Sequence, residues 1–293
     1  MQLVASSEGV SICCPEGGKF SFFNSPYYAH KLCTAVDIYP SSRKNSGFAP
    51  SPVSGEVIGI KAVRHFYERR FECSDVDYVL LLRSRDNPER LVKVLHVKPH
   101  LKVGDFVKTG ENLGKLIRSG FFDFWTELHI HVEVREPSNP MRARGGFKIE
   151  RVLEANAAEE LNVLRGKVVE SNREYSLIAI NEDLAYGFPV KVNGEAGLLD
   201  GGIPHYGFFG IHTDAKPTPG REVSLCGRKI GKIISVSGNM ATASFNAQHF
   251  KLKDEEVGLS FYLHLSKPLL KVVPRKLGGL TLNKNEEVEV NIC

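Results

Sequence analysis

The chain is poor in the features that would mark several large classes of protein. No stretch approaches the ~18 consecutive apolar residues of a membrane-spanning helix, and hydrophobic residues make up 42% of the 293 positions. That share, with 25% charged residues, is ordinary for a folded protein and excludes disordered, collagenous and low-complexity chains. The six cysteines, Cys13, Cys14, Cys33, Cys73, Cys226 and Cys293, contain no CxxC pair. A cysteine-cage zinc site and a thioredoxin-type redox motif are therefore not supported, and six thiols in a chain of this length do not make a disulfide framework. The opening residues MQLVASSEGV lack a basic start and a long apolar stretch, so no secretory signal is visible and a cytoplasmic location with reduced thiols is expected. The net charge is only +4. It is scattered rather than gathered in a stripe, so neither nucleic acid nor a membrane is expected as a partner. Oligomeric state has no signature here.

What is present is a chain of short apolar runs between Gly, Pro and Asn clusters. Examples are Gly55–Ile60, Tyr78–Leu82, Leu91–Val97, Leu128–Val134, Gly166–Glu170, Tyr175–Ile180, Lys232–Val236 and Leu259–Leu265. Runs of that length with that punctuation predict a mainly β protein with antiparallel sheets. No fixed-period repeat appears. One segment differs: Val152–Leu164 (VLEANAAEELNVL) is rich in Ala, Glu and Leu. It predicts a short helix joining an N-terminal β domain, residues 1–149, through residues 150–164 to a second β-rich domain, residues 165–293.

The sharpest chemical feature is Leu128–Arg135 (LHIHVEVR). Leu128, Ile130, Val132 and Val134 alternate with His129, His131, Glu133 and Arg135. On a strand the first set packs into a core and the second shares the opposite face. The two imidazoles then stand ~6.5–7 Å apart at the backbone, close enough for one to hold a metal and the other to act beside it. His96 ends the apolar run Leu91–Leu95, and Asp37 sits in the strand-like Thr34–Tyr39. His30 lies seven residues before Asp37 and Cys33 four before it, and six of the ten histidines fall between His30 and His131. A His/Asp/His set with an open position suits catalytic zinc.

Several stretches together resemble the lysostaphin-type (LytM-like) zinc metallopeptidases. These are Asp37, Ala49–Val57 (APSPVSGEV), His96, the glycine-punctuated Val103–Gly114, and the closing HIHVEVR strand, all in the family's order. The match spans residues 28–136. It implies a barrel-sandwich (duplicated hybrid motif) fold for the N-terminal domain. It also implies zinc-dependent hydrolysis of an amide bond in a peptide or protein substrate. Asp37 and His131 would be metal ligands, with His96 and His129 flanking the metal as catalytic residues. The family places a histidine four residues before the aspartate, where this chain has Cys33. His30 keeps the imidazole but is offset by three positions, so His30 is the expected third ligand, with Cys33 as its rival. Residues 30 and 37 have opposite parity on a strand, so His30 requires a turn or bulge.

The chain departs from the family at Arg118–Glu127 (RSGFFDFWTE), an apolar stretch in place of a Gly/Ser-rich one, which would narrow or reshape the cleft. Trp125 is placed either in the cleft wall or in ordinary packing. Glu133 would orient an imidazole or pair with Arg135. In the C-terminal half, Gly197–His212 gathers two histidines and Asp200 among glycines and aromatics. It reads as a pocket or, more simply, as a turn-rich loop with core aromatics. His249 and His264 are isolated, and Gly220–Phe245 suggests strands of a small barrel. The alternative to a hydrolase is a non-catalytic peptide- or protein-binding module on the same fold. A carrier or phosphotransfer domain is disfavoured, because no lysine hairpin is visible and a phosphate-accepting histidine would not need Asp37.

Overall fold

Alternation of apolar and polar side chains shapes almost every element of this chain, and the result is nearly all β. The computed structural model describes residues 1–40, 47–66, 68–246 and 248–293. It divides into two units, Met1–Phe20 with Tyr27–Leu153, and Ser21–Pro26 with Glu154–Cys293. Among the described residues no helix is long and apolar enough to cross a membrane.

The first unit contains β1 (Gln2–Ser7), β2 (Val10–Cys14), β3 (Lys19–Ser21) up to Phe20, the four-residue helix α1 (Tyr28–Lys31), β4 (Val36–Tyr39) and β5 (Phe48–Pro50). It continues through β6 (Gly55–Arg64), β7 (Val76–Ser84), β8 (Leu91–Leu95), β9 (Val97–Pro99), β10 (Phe106–Val107), β11 (Asn112–Leu116), β12 (Ile130–Arg135) and β13 (Glu150–Arg151). The main sheet runs β10-β6-β7-β8-β12-β4-β3, with antiparallel pairing from β10 to β4. Two three-stranded sheets, β13-β1-β2 and β5-β11-β9, complete the unit. In β12 Ile130, Val132 and Val134 are fully buried as the alternation predicts, whereas Leu128, expected in the same core set, precedes the strand and is exposed. The opposite face is buried as well, so the polar set His131, Glu133 and Arg135 lies inside the protein rather than on a solvated surface.

In the second unit the strands close into two rings. Phe188–Val192 pairs with Glu222–Leu225 and with Glu195–Ile203, and Arg228–Ser237, Met240–Phe245 and Phe208–His212 complete that ring. Glu255–Phe261 pairs with Phe250–Leu252 and Leu269–Pro274, and Glu287–Ile292, Leu164–Ser171 and Ser176–Ile180 complete the second. Closure removes the exposed strand edges that invite aggregation. One contiguous core fills this unit, with Phe188, Phe209, Phe250, Phe261, Leu259 and Val272 among its buried members.

The expected linking helix is not formed: residues 152–163 run as irregular chain. Tertiary contacts override the Ala/Glu/Leu propensity. The amides of Ala155 and Asn156, which a helix would bond internally, donate to the Asp214 carboxylate at 2.6 and 3.0 Å. Asn156 takes a left-handed φ of 44°, Leu161 joins the core, and Glu160 accepts from Ser224 Oγ and the Gly227 amide.

The Gly197–His212 segment, expected as a turn-rich loop or a pocket, is mostly strand, Glu195–Ile203 and Phe208–His212 with a short turn between them. Its His205 imidazole packs over Gly258, and burial, with the Lys271 charge adding to it, pushes His205 down to about 4. Asp200 and His212 are wholly buried. The Asp200 carboxylate accepts from Ser21 Oγ at 2.5 Å, the Phe22 amide at 2.7 Å and His212 Nε2 at 3.1 Å. The rings of Phe22 and Phe23 pack on His212, and Phe23 lies where any side chain at Gly210 would sit. One carboxylate therefore fastens Ser21–Pro26 to its unit. Asp200→Ala leaves three buried donors without their acceptor and is expected to cost about 3 kcal/mol, read as a lower urea midpoint for the transition of the C-terminal unit. An unchanged midpoint would contradict this role.

Candidate metal centre

Asp37 and His131 are paired across β4 and β12 in register, so their side chains leave the same face of the sheet side by side. The Asp37 carboxylate is buried among imidazoles. His131 Nδ1 lies 2.9 Å from its Oδ1, His30 Nε2 lies 3.4 Å from the same oxygen, and His129 Nε2 lies 3.6 Å from Oδ2. His30 Nε2 and His131 Nδ1 are 3.2 Å apart. Among the described residues, the ligand-type side chains that converge on one point are His30, Asp37 and His131.

His30 reaches that point because α1 and its exit change the parity of the chain. The Thr34 amide returns to the Ala29 carbonyl and the Cys33 amide to the His30 carbonyl, while Cys33 takes a left-handed φ of 55°. This is a helix C-cap of the kind that reverses chain direction. Cys33 serves as its turning residue, buried, and is not part of the three-residue cluster.

The triangle formed by His30 Nε2, Asp37 Oδ1 and His131 Nδ1 has sides of 2.9, 3.2 and 3.4 Å. A tetrahedral zinc with ligands at ~2.0–2.1 Å has edges of about 3.3 Å. The donor set thus matches one face of such a site in size and in chemistry, with two imidazoles and one carboxylate.

Around this triangle the remaining polar groups have fixed partners. Glu133, on the same face of β12 as His131, receives His131 Nε2 at 3.2 Å, Lys93 Nζ at 2.8 Å and Arg135 Nη1 at 2.9 Å. Both sequence readings of Glu133 are therefore realised, but its pairing with Arg135 is buried. A carboxylate behind a ligating imidazole fixes its tautomer and raises its basicity. Lys93 was not singled out in the sequence. His96 sits in a left-handed conformation, φ 69°, between β8 and β9. Asp77 holds it there, accepting its backbone amide at 3.0 Å and its Nδ1 at 2.6 Å. Asp77 was missed in the sequence, although an acid inside an apolar strand was the signal that drew attention to Asp37. His129 Nδ1 donates to the Glu127 carbonyl at 2.9 Å, so its Nε2 carries the lone pair. The His129 ring lies 4.9 Å from His96 and 5.0 Å from Tyr39. The aromatic residue of the apolar insert that meets the site is Phe122, stacked on His129 at 4.7 Å. Trp125 packs edge-on against Phe124.

These contacts set the charges. Burial opposes ionisation of Asp37, but His30, His129 and His131 outweigh it and hold the carboxyl well below its ordinary range. Burial likewise opposes charge on His131, yet hydrogen bonds to Asp37 and Glu133 push it up to about 9. Burial drives His129 down to about 4 against the pull of Asp37, with His96 adding to the descent. Burial is overcome at Glu133 by His131 and Lys93, and at Asp77 by His96, and both carboxyls fall to about 2.

Residues 11–151 match the profile described as Domain of unknown function (DUF8155) N-terminal domain, and residues 164–293 match that of its C-terminal domain. The chain belongs to the DUF8155 family. No curated protein and no solved structure matches it.

His131 Nδ1 and Asp37 Oδ1, 2.9 Å apart, are two of the three atoms that could face a cation. A metal bound there would displace the proton on His131 Nδ1. Because hydrogen bonds to Asp37 and Glu133, working against burial, push His131 up to about 9, zinc affinity is expected to rise about tenfold per pH unit from pH 6 to 8, in line with release of one proton. Competition titration at three pH values measures the slope, and a flat profile would contradict the assignment of His131.

Proposed function

We propose that the N-terminal domain is a zinc-dependent amide hydrolase acting on a peptide or protein substrate. The observation that carries this reading is the metal-sized triangle of His30, Asp37 and His131, flanked by two imidazoles whose second nitrogens are already committed. The resemblance of residues 28–136 to lysostaphin-type peptidases supports the same reading.

When bound, zinc supplies Lewis acidity that polarises a carbonyl and activates a water. The other roles fall to the chain itself. His129 is neutral near pH 7, and the Glu127 carbonyl fixes its hydrogen on Nδ1. Its Nε2 is thus an acceptor beside Asp37, suited to take a proton from an attacking water. With Nδ1–H of His96 held by the Asp77 carboxylate, the doubly protonated form of His96 would present Nε2–H to the negative charge that develops on a scissile carbonyl oxygen. Asp77 is a positioning residue: it holds both the ring and the strained backbone of His96. Glu133, with Lys93 and Arg135, holds the His131 ring in its ligating orientation.

The division of labour is testable by substitution. His131→Ala is expected to abolish stoichiometric zinc, measured by elemental analysis. His129→Ala is expected to keep about one zinc per chain while hydrolysis of a mixed peptide library falls by about 100-fold or more. Full activity in His129→Ala would contradict its catalytic role. Tight zinc in the unmodified protein with no peptide hydrolysed would favour the binding-module alternative.

A further inference from the structure

The two histidines assigned to catalysis are closed off. His96 and His129 are only 7% and 4% exposed, and Phe122, itself 4% exposed, lies against both. Its ring stacks on His129 at an interplanar angle of 21° and meets the His96 ring edge-on at 4.6 Å. A carbonyl group placed beside both imidazoles would have to occupy the space that this ring fills.

The segment that delivers Phe122 is built differently from the sheet beneath it. Residues 121–129 carry no strand, and the one bridge at the start of the segment is Ser74 to Ser119. The backbone bonds within it are local turns, Phe122 to Ser119 and Thr126 to Asp123. Side chains tie it down instead, each gripping a single carbonyl. Tyr27 Oη donates to Phe121 at 2.7 Å, Arg69 Nε to Gly120 at 2.6 Å and Arg118 Nη2 to Phe124 at 2.6 Å. His65 packs edge-on against Phe121 at 5.8 Å. At its root the Ser119 side chain hydrogen-bonds Asp77, the residue that holds His96. A loop fastened by a few side-chain bonds opens at a lower cost than a strand within a ladder.

We propose that Ser119–Trp125 is a lid over the site, with Phe122 as its plug and Tyr27 and Arg69 as its latches. The closed form blocks His96 and His129, and substrate enters only when the latches release. The lid's purpose rests on the hydrolase reading above, but its existence rests on Phe122 and the three carbonyl ties alone. It also gives the apolar insert a role: the insert that sets this chain apart from lysostaphin-type sequences is the part that closes the cleft.

The test uses metal-free full-length protein and diethyl pyrocarbonate, a small reagent that modifies neutral imidazoles, with modification of each histidine followed by mass spectrometry. His100, exposed and outside the site, is the internal standard. In the unmodified chain His129 is expected to react much more slowly than His100. Tyr27→Phe and Arg69→Ala each remove one latch without touching the histidines, and each is expected to speed modification of His129 by about three- to tenfold. Phe122→Ala is expected to speed it further, while His100 stays constant in every variant. The lid is overturned if His129 reacts as fast as His100 in the unmodified chain, or if the latch variants leave its rate unchanged. Zinc content is measured separately. Latch effects without zinc binding would reject the hydrolase and keep the lid, and zinc binding without latch effects would do the reverse.

Discussion

The arrangement of the N-terminal domain depends on one buried carboxylate. Asp37 sits in the middle of an apolar strand, almost fully removed from water, where an isolated negative charge is too costly to persist. Three imidazoles surround it, from α1 and from two positions around the start of β12. Each is placed by backbone geometry before it is placed by charge. The register of β4 on β12 brings His131 alongside Asp37, and the left-handed turn at Cys33 brings His30 back over the same face. The metal cation proposed above would satisfy this same carboxylate.

A second tier of carboxylates supports the first. Glu133 stands behind His131 and Asp77 behind His96, and each is buried and compensated by a cation or a donor pair of its own. Acid–imidazole pairs of this kind set the direction in which the other ring nitrogen works. Beneath, the site rests on the four-stranded ladder β7-β8-β12-β4, and Ser119–Trp125, held with side-chain bonds, lies against it. In the proposed hydrolase, a rigid base under a less firmly held cover would admit a substrate without losing its geometry.

Much of this was legible in the residues. The strand positions followed from apolar runs, and the face of β12 that carries His131, Glu133 and Arg135 followed from period-two alternation. Asp37 stood out as an acid within an apolar stretch. The rest was not read from the sequence. The segment at residues 152–163 has helix-forming composition, but its amides are captured by Asp214, which lies far along the chain. The choice between His30 and Cys33 depended on a turn whose left-handed residue is not glycine, so no composition signal announced it. Asp77 and Lys93 are charges inside apolar strands, as Asp37 is, and the same argument applied to every such position would have found both. Phe122 could not have been separated from Phe121, Phe124 and Trp125, because which of four neighbouring aromatics faces inward is decided by loop geometry and not by periodicity.

The central claim is that His30, Asp37 and His131 together form a metal centre. The most direct measurement is anomalous diffraction at the zinc absorption edge from crystals of the zinc-loaded protein. The account predicts one strong peak about 2 Å from His30 Nε2, an Asp37 carboxylate oxygen and His131 Nδ1. A peak at Cys33, a peak away from these residues, or no ordered zinc in the N-terminal domain would contradict it.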